Sequence, residues 1–308
     1  MSKSIQITVF GAANADITGF SKEKLIYKDA NIGRMTISAG GVGRNIAENL
    51  KLLGFNVNFS GVFGDDPFSR FLIDDCQQKQ INISESLFLK NQSAATFLAV
   101  MDEHHDLAVG ISAMQLYDEL DKALFVNNLK NNLKTGYIVL ETNFKADILS
   151  GIVEKYQGAK FILDTVSGKK SLRALPILEH LYILKTNLLE AQILSDIQIT
   201  GKTGLSTLVR FFLNKGVQKV FITLGKDGVI FGDEHQIVHK KSIPSQVYNT
   251  IGAGDAFLSG LVYADAKDLD INLMADYGMA AAALTVGSNA AVSPKMSPEQ
   301  LKNILNNA

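Results

Sequence analysis

Short apolar runs with strand character recur at Ile5–Phe10, Val57–Val62, Tyr137–Leu140, Phe161–Leu163, Tyr182–Leu184 and Val220–Thr223, and helix-patterned stretches separate them. Alternation of this kind predicts an α/β fold, a mainly parallel sheet covered by helices on both faces. Ligands in such sheets bind at the carboxyl ends of the strands. Two segments, about 17–37 and 96–109, break the pattern. They alternate apolar and polar residues, and the polar stretch Asp102–Asp106 reads as a hairpin tip, so they predict a small separate sheet. No internal repeat, low-complexity tract or Pro/Gly linker divides the chain, so residues 1–308 are expected to form a single domain with that small sheet inserted.

The segment Asn249-Thr250-Ile251-Gly252-Ala253-Gly254-Asp255-Ala256 carries the most chemistry. Two glycines permit a tight turn, and Ala256, Phe257, Leu261, Val262 and Ala264 follow with helical apolar spacing, so the loop should open a helix. Free N–H groups of Gly252, Ala253 and Gly254 at the positive helix end would hold an anion. Asp255 would then place a base beside it, the layout of phosphoryl transfer. A Gly-Ala-Gly turn also begins many helices that are merely packed, so other segments have to decide. Gly40-Gly41-Val42-Gly43-Arg44-Asn45 opens a second helix, with Ile46, Leu50 and Leu53 on one face and Gly54 as the stop.

With Asn14 and Asp16 after the first strand, Lys185-Thr186-Asn187 with Glu190, and Thr223-Leu224-Gly225-Lys226-Asp227-Gly228, these segments occur in the order found in the ribokinase-like, or phosphofructokinase-B, carbohydrate kinases, which the chain resembles along its whole length. That resemblance implies a three-layer α/β/α sandwich, with the small sheet as a lid that folds over the sugar and in many members pairs with a second subunit. Within the family, Asn14 through Tyr27, Asp29–Gly33, Gly40–Leu50, Asp164-Thr165-Val166-Ser167 followed by Lys169, and Asn rather than Asp at 249 are similar to bacterial pseudouridine kinases. The implied reaction is ATP-dependent phosphorylation of the primary hydroxyl of pseudouridine. Ribose or another nucleoside is the alternative acceptor.

Several site residues have two readings. Asn14 and Asp16 are ordinary turn formers, yet together they could also hold vicinal hydroxyls. Asn45 is an ordinary capping candidate. The resemblance makes Asn14, Asp16, Gly40, Gly41 and Asn45 sugar-binding. Asn187 and Glu190 are spaced as a capping pair, and by resemblance they order water around the magnesium that accompanies ATP. Thr223, Gly225 and Gly228 read as a hairpin connection, and by resemblance they line the nucleotide, with Thr250 beside them. Lys169 and Lys170 read as a solvated pair, although Lys169 could reach the phosphates or the substrate. Glu141 and Asn143, at a strand end, are further pocket candidates. Many members carry Asp at position 249 and use it to hold a monovalent cation; Asn249 offers a carbonyl oxygen without the charge, which leaves a need for potassium open.

Composition excludes other classes. A net charge of −1 with scattered Lys and Arg argues against a nucleic-acid partner. The longest apolar run, Gly278–Val286, is too short to span a bilayer, and Ile5–Ile17 is broken by Gln6, Thr8, Asn14 and Asp16, unlike a signal peptide. One cysteine, Cys76, fits a reducing compartment, so the expected location is the cytoplasm. His104 and His105 are adjacent and would point to opposite faces of a strand, which makes a poor metal pair. A dinucleotide-binding oxidoreductase is disfavoured because Gly11-Ala12-Ala13-Asn14 stands where G-x-G-x-x-G would be needed. A non-catalytic nucleoside-binding sensor is disfavoured by the intact Asp255 and anion loop.

Overall fold

The computed structural model describes residues 5–104, 106–131, 133, 136–199 and 204–307. Eight strands form the main sheet in the order Asn56–Ser60, Gln6–Phe10, Tyr137–Glu141, Lys160–Asp164, Leu181–Asn187, Lys219–Thr223, Val229–Gly232, Ile237–Lys240. The first six in that order pair in parallel. Neighbouring residues on each strand feed opposite faces. Val139 and Ile162 join a core with Ile46, Phe257 and Met274, while Ile138 and Leu163 join one with Phe125, Ile148 and Phe212. Helices thus cover both faces, as the alternation of elements predicts.

The last two strands were not among the predicted runs. They are antiparallel to their neighbours, and only a single 3-10 turn, Gly225–Asp227, leads into them, with Gly228 at φ 92°. A Cβ there would lie 2.0 Å from the Lys240 carbonyl oxygen, so the tight reversal requires glycine. The run predicted as Val57–Val62 is also two elements. Asn56–Ser60 belongs to the main sheet, whereas Val62–Phe63 pairs with Leu87–Phe88.

The second sheet has four strands in the order Gly33–Gly40, Asn14–Ser21, Thr96–Met101, Leu107–Ala113. They extend beyond the alternating segments 17–37 and 96–109, because Asn14 pairs with Gly40 and Thr96 with Ala113. Polar and small residues can make ladder bonds as well as apolar ones, so periodicity understates the strand length. Asp102–His104 form the tip, and His105 lies outside the described residues.

The helix Ala253–Asp265 runs beneath the sheet, between Val42–Leu52 and Ile271–Val286, and every residue from Asp255 to Asp265 is buried. Its far end is fixed by Asp265, which accepts from Tyr137 Oη (2.8 Å), Tyr182 Oη (2.5 Å), Lys219 Nζ (2.6 Å) and Lys160 Nζ (3.1 Å). Anchoring the C-terminus of this helix sets where its N-terminus, with Asp255, meets the rim of the sheet. Among the described residues, no helix is long and apolar enough to cross a membrane.

Candidate active site

Parallel pairing brings Phe10, Glu141, Asp164, Asn187 and Thr223 to one rim, and the sequence motifs gather there. The loop after the first strand is clamped by side chains from distant parts of the chain. Ala12 N–H donates to the Glu141 carboxylate, and Ala13 N–H donates to Tyr117 Oη (3.1 Å). The helix beginning at Val42 lies directly on this loop. A Cβ on Gly43 would come within 2.6 Å of the Gly11 Cα, and Arg44 N–H bonds the Ala12 carbonyl at 3.1 Å. Gly41, at φ 100°, precedes that helix, and a Cβ on Gly40 would stand 2.1 Å from Asp16 Oδ2. Asn14, Asp16, Gly40, Gly41 and Asn45 therefore share one corner.

Asn14 donates to Asp16. Burial holds the Asp16 carboxyl above its usual range, while Asn14 and Arg44 pull it back. Asn45 Nδ2 donates to Asp255 Oδ2 at 2.9 Å, joining the corner to the helix that carries Asp255. Asp255 is pushed up to about 8 by burial and by Asp164, against the pull of Asn45 and Lys185.

Gly252 caps this helix at φ 79°, with its missing Cβ replaced by the Ala291 carbonyl oxygen, which would stand 1.9 Å away. Of the three N–H groups expected to hold an anion, that of Ala253 turns to the Thr250 carbonyl at 3.3 Å. Asn249 Oδ1 accepts from Ile251 N–H (3.0 Å), so its carbonyl already braces the loop. Lys185 joins the site as well, from the strand Leu181–Asn187. Its Nζ lies where a Cβ on Gly254 would come within 2.6 Å, and it pairs with Asp164 at 2.7 Å, both side chains being buried. Burial opposes its charge, but Asp164, Asp255 and Glu190 outweigh that and raise its pKa. Lysine inside the apolar strand run Ile183-Leu184-Lys185 was the available signal, since a buried ammonium needs a partner.

Beyond the anion loop, a cavity of about 470 Å³ opens between Thr223, Gly225, Gly228 and Thr250 on one side and Phe257, Met279 and Val286 on the other. Asn187 stands in register beside Thr223, which lines that cavity, on the adjacent strand. Asn187 and Glu190 form a full capping box, and Glu190 also accepts from Thr165 Oγ1 at 2.5 Å. Both Glu190 oxygens thus meet protein donors, so a divalent cation would be reached through water. Among the described residues, no group of three or more His, Cys, Asp or Glu side chains could hold a metal directly. A separate cavity of about 510 Å³, lined by Leu213, Lys219 and Asp233–His235, lies at the opposite ends of the strands.

Lys169 is exposed; Lys170, its neighbour, is the one turned inward, donating to Asn143 Oδ1. Asn143 N–H in turn bonds Glu141 Oε2 at 2.6 Å. Burial pushes Glu141 up to about 7, with the Asn143 and Ala12 N–H groups opposing it, and burial lowers Lys170. The inward cation is therefore one residue later than the candidate chosen from sequence. Ser167 precedes the short helix Gly168–Ser171 in extended conformation, and the turn that follows decides which of the two lysines faces in.

The model of the pfkB family carbohydrate kinases matches residues 4–298. A pseudouridine kinase of Escherichia coli (strain K12) is 28% identical over 262 residues, 85% of this chain and 84% of the relative. Among solved structures, a putative sugar kinase from Clostridium perfringens superposes with a TM-score of 0.84 at 27% identity, covering 100% of this chain and 97% of the other. A putative Ribokinase II from E. coli, in complex with ATP and Mg2+, has a TM-score of 0.84 at 17% identity, covering 99% of this chain and 100% of that one. The chain belongs to the pfkB family of carbohydrate kinases, phosphotransferases that act on hydroxyl groups.

Proposed function

We propose that this kinase transfers the terminal phosphoryl group of ATP to the primary hydroxyl of a ribosyl acceptor, and that the acceptor is pseudouridine. The observation that carries the reading is the 2.9 Å bond between Asn45 and Asp255, which joins the hydroxyl-binding corner to a buried base at the head of an anion-binding helix. Asn14 and Asp16 would hold the vicinal hydroxyls, with the backbone of Gly40 and Gly41 against the ribose. The apolar cavity would take the nucleotide base, and Thr223, Gly225 and Gly228 its ribose and phosphates. Magnesium, held through water by Glu190, would neutralise charge on those phosphates. Asp255 takes the proton of the primary hydroxyl as the new O–P bond forms and the bond to the ADP oxygen breaks. The N–H groups of Gly252 and Gly254 and the Lys185 ammonium face the charge that builds up on the transferring group.

The small sheet would act as the lid. By strand register Asp16 and Ser38 share one face, while Ile17, Met35, Ile37, Leu98, Val109 and Ile111 share the other. The Asp16 face would close over the acceptor and exclude water. The opposite face, from Met35 to Ile111, is exposed and apolar, which supports pairing of two lids in a homodimer. A monomer by light scattering at working concentration would remove that part.

Pseudouridine and uridine present the same ribose, so the discrimination has to be made at the base. The carbon-linked base has one extra ring N–H, and selectivity requires a pocket acceptor facing it, which uridine would leave unpaired. Such a loss in a closed site is worth about 10- to 100-fold. Measured with MgATP, kcat/KM for pseudouridine should exceed that for uridine and ribose by at least about tenfold. Equal or better use of ribose or uridine would discard pseudouridine and leave the kinase chemistry standing.

A further inference from the structure

Arg44 is 2% exposed, with its charge placed in the first turn of its helix, the end where the backbone dipole disfavours a cation. Its neighbours show what it does there. Nε and Nη2 reach Asp75 Oδ2 (3.0 and 2.7 Å), and Nη2 also reaches Glu48 (2.5 Å). Lys79 closes the cluster on Glu48 (2.8 Å) and Asp75 (3.1 Å). The remaining donor, Nη1, goes to Asn45 Oδ1 at 3.0 Å. A guanidinium has five donors and no acceptor, so only the oxygen of the Asn45 amide can face it. The amide nitrogen is then forced toward Asp255 Oδ2, where a donor is needed.

We propose that Arg44 is a positioning residue that sets the orientation of the Asn45 amide, so that its nitrogen faces the base and its plane stays in register with the acceptor. Without that lock the amide is free to rotate, and half of its orientations set a carbonyl oxygen against the Asp255 carboxylate. Asp75 and Glu48 allow the guanidinium to be buried without themselves touching Asn45. The inference rests on the kinase reading of this site but not on which acceptor is used.

The test compares Arg44→Met, which removes the donor, with Arg44→Gln, which keeps an N–H but no charge, each alone and in an Asn45→Ala background. Every variant is assayed with the acceptor that wild type uses best. Arg44→Met should lower acceptor kcat/KM by about 10- to 100-fold with KM for ATP within about twofold, and Arg44→Gln should recover most of that loss. In the Asn45→Ala background, Arg44→Met should cost less than about twofold, because the residue it acts through is gone. Lys79→Met, which removes an ion pair of the same cluster without touching Arg44 or Asn45, should lower the Tm and leave acceptor kinetics unchanged. Equal losses in the Met and Gln variants, additivity with Asn45→Ala, or a matching kinetic loss in Lys79→Met would each overturn the proposal. Wild-type protein that phosphorylates no nucleoside or sugar would instead overturn the kinase reading, before any variant is compared.

Discussion

Replacing Asp255 by Asn should destroy turnover and, at neutral to alkaline pH, stabilise the fold. Burial and Asp164 raise the carboxyl from 3.8 to about 8, so the folded state holds its proton more tightly than the unfolded chain does. The stability this group contributes is fully present below the unfolded value near 3.8 and is lost as pH rises through the folded value near 8. At pH 7 the difference spans about three pH units at about 1.4 kcal/mol each, a ceiling of roughly 4 kcal/mol. For a chain of 308 residues the unfolding entropy is about 0.65 kcal/mol/K, so that ceiling is about 6 °C in Tm. The amide introduced by Asp255→Asn would still accept from Asn45 through its oxygen, so the main change is loss of the titrating group. Scanning calorimetry of both proteins should show the variant gaining about 2–6 °C at pH 7, with the gain shrinking toward zero near pH 4. Turnover should fall about 100- to 10,000-fold with ATP and acceptor affinity little changed, and wild-type kcat/KM should rise with pH through about 8. A Tm difference that stays flat with pH, or that increasingly favours wild type as pH rises, would refute the account of Asp255 as a buried, proton-retaining base. Turnover within tenfold of wild type would refute its role in catalysis.

Asp16→Ala would delete the proposed partner of the sugar hydroxyls and leave the nucleotide cavity untouched, so titration calorimetry should show nucleoside binding weakened about tenfold or more with ATP binding intact. Unchanged nucleoside affinity would remove Asp16 from the site. Lys185→Met should lower kcat about 10- to 1000-fold, because it removes the cation behind the anion loop and leaves Asp164 buried without a counter-ion. A Tm loss of the same order as that of Asp164→Asn, with kcat preserved, would reassign Lys185 to structure. Lys170→Ala should raise acceptor KM more than Lys169→Ala does, since only Lys170 reaches Asn143. The reverse order would restore Lys169 as the pocket cation.

What was legible in the sequence is what repeats or is local. The parallel sheet follows from alternating patterns, and the loops that need glycine can be read one at a time. The positive φ at Gly41, Gly228 and Gly252 then confirms the turns as real. The antiparallel pair Val229–Gly232 and Ile237–Lys240 escaped because two four-residue strands joined by a turn have no periodicity to read. Pairings over long separations escaped for a different reason. Asn45 with Asp255, Ala12 with Glu141 and Ala13 with Tyr117 are 210, 129 and 104 residues apart, and nothing in one partner's neighbourhood names the other. A signal does exist on one side of some of them. Arg44 and Lys185 are cations within runs whose other members are buried, and burying a charge costs several kcal/mol unless a partner meets it. Each such residue therefore predicts an unseen carboxylate. Asp75 and Glu48 answer for the first and Asp164 for the second, and both clusters lie within one residue's reach of Asp255. Charged residues out of place in an apolar pattern thus locate the site from a side that the glycine motifs do not, because the base needs fixed dipoles and counter-charges around it where water is excluded.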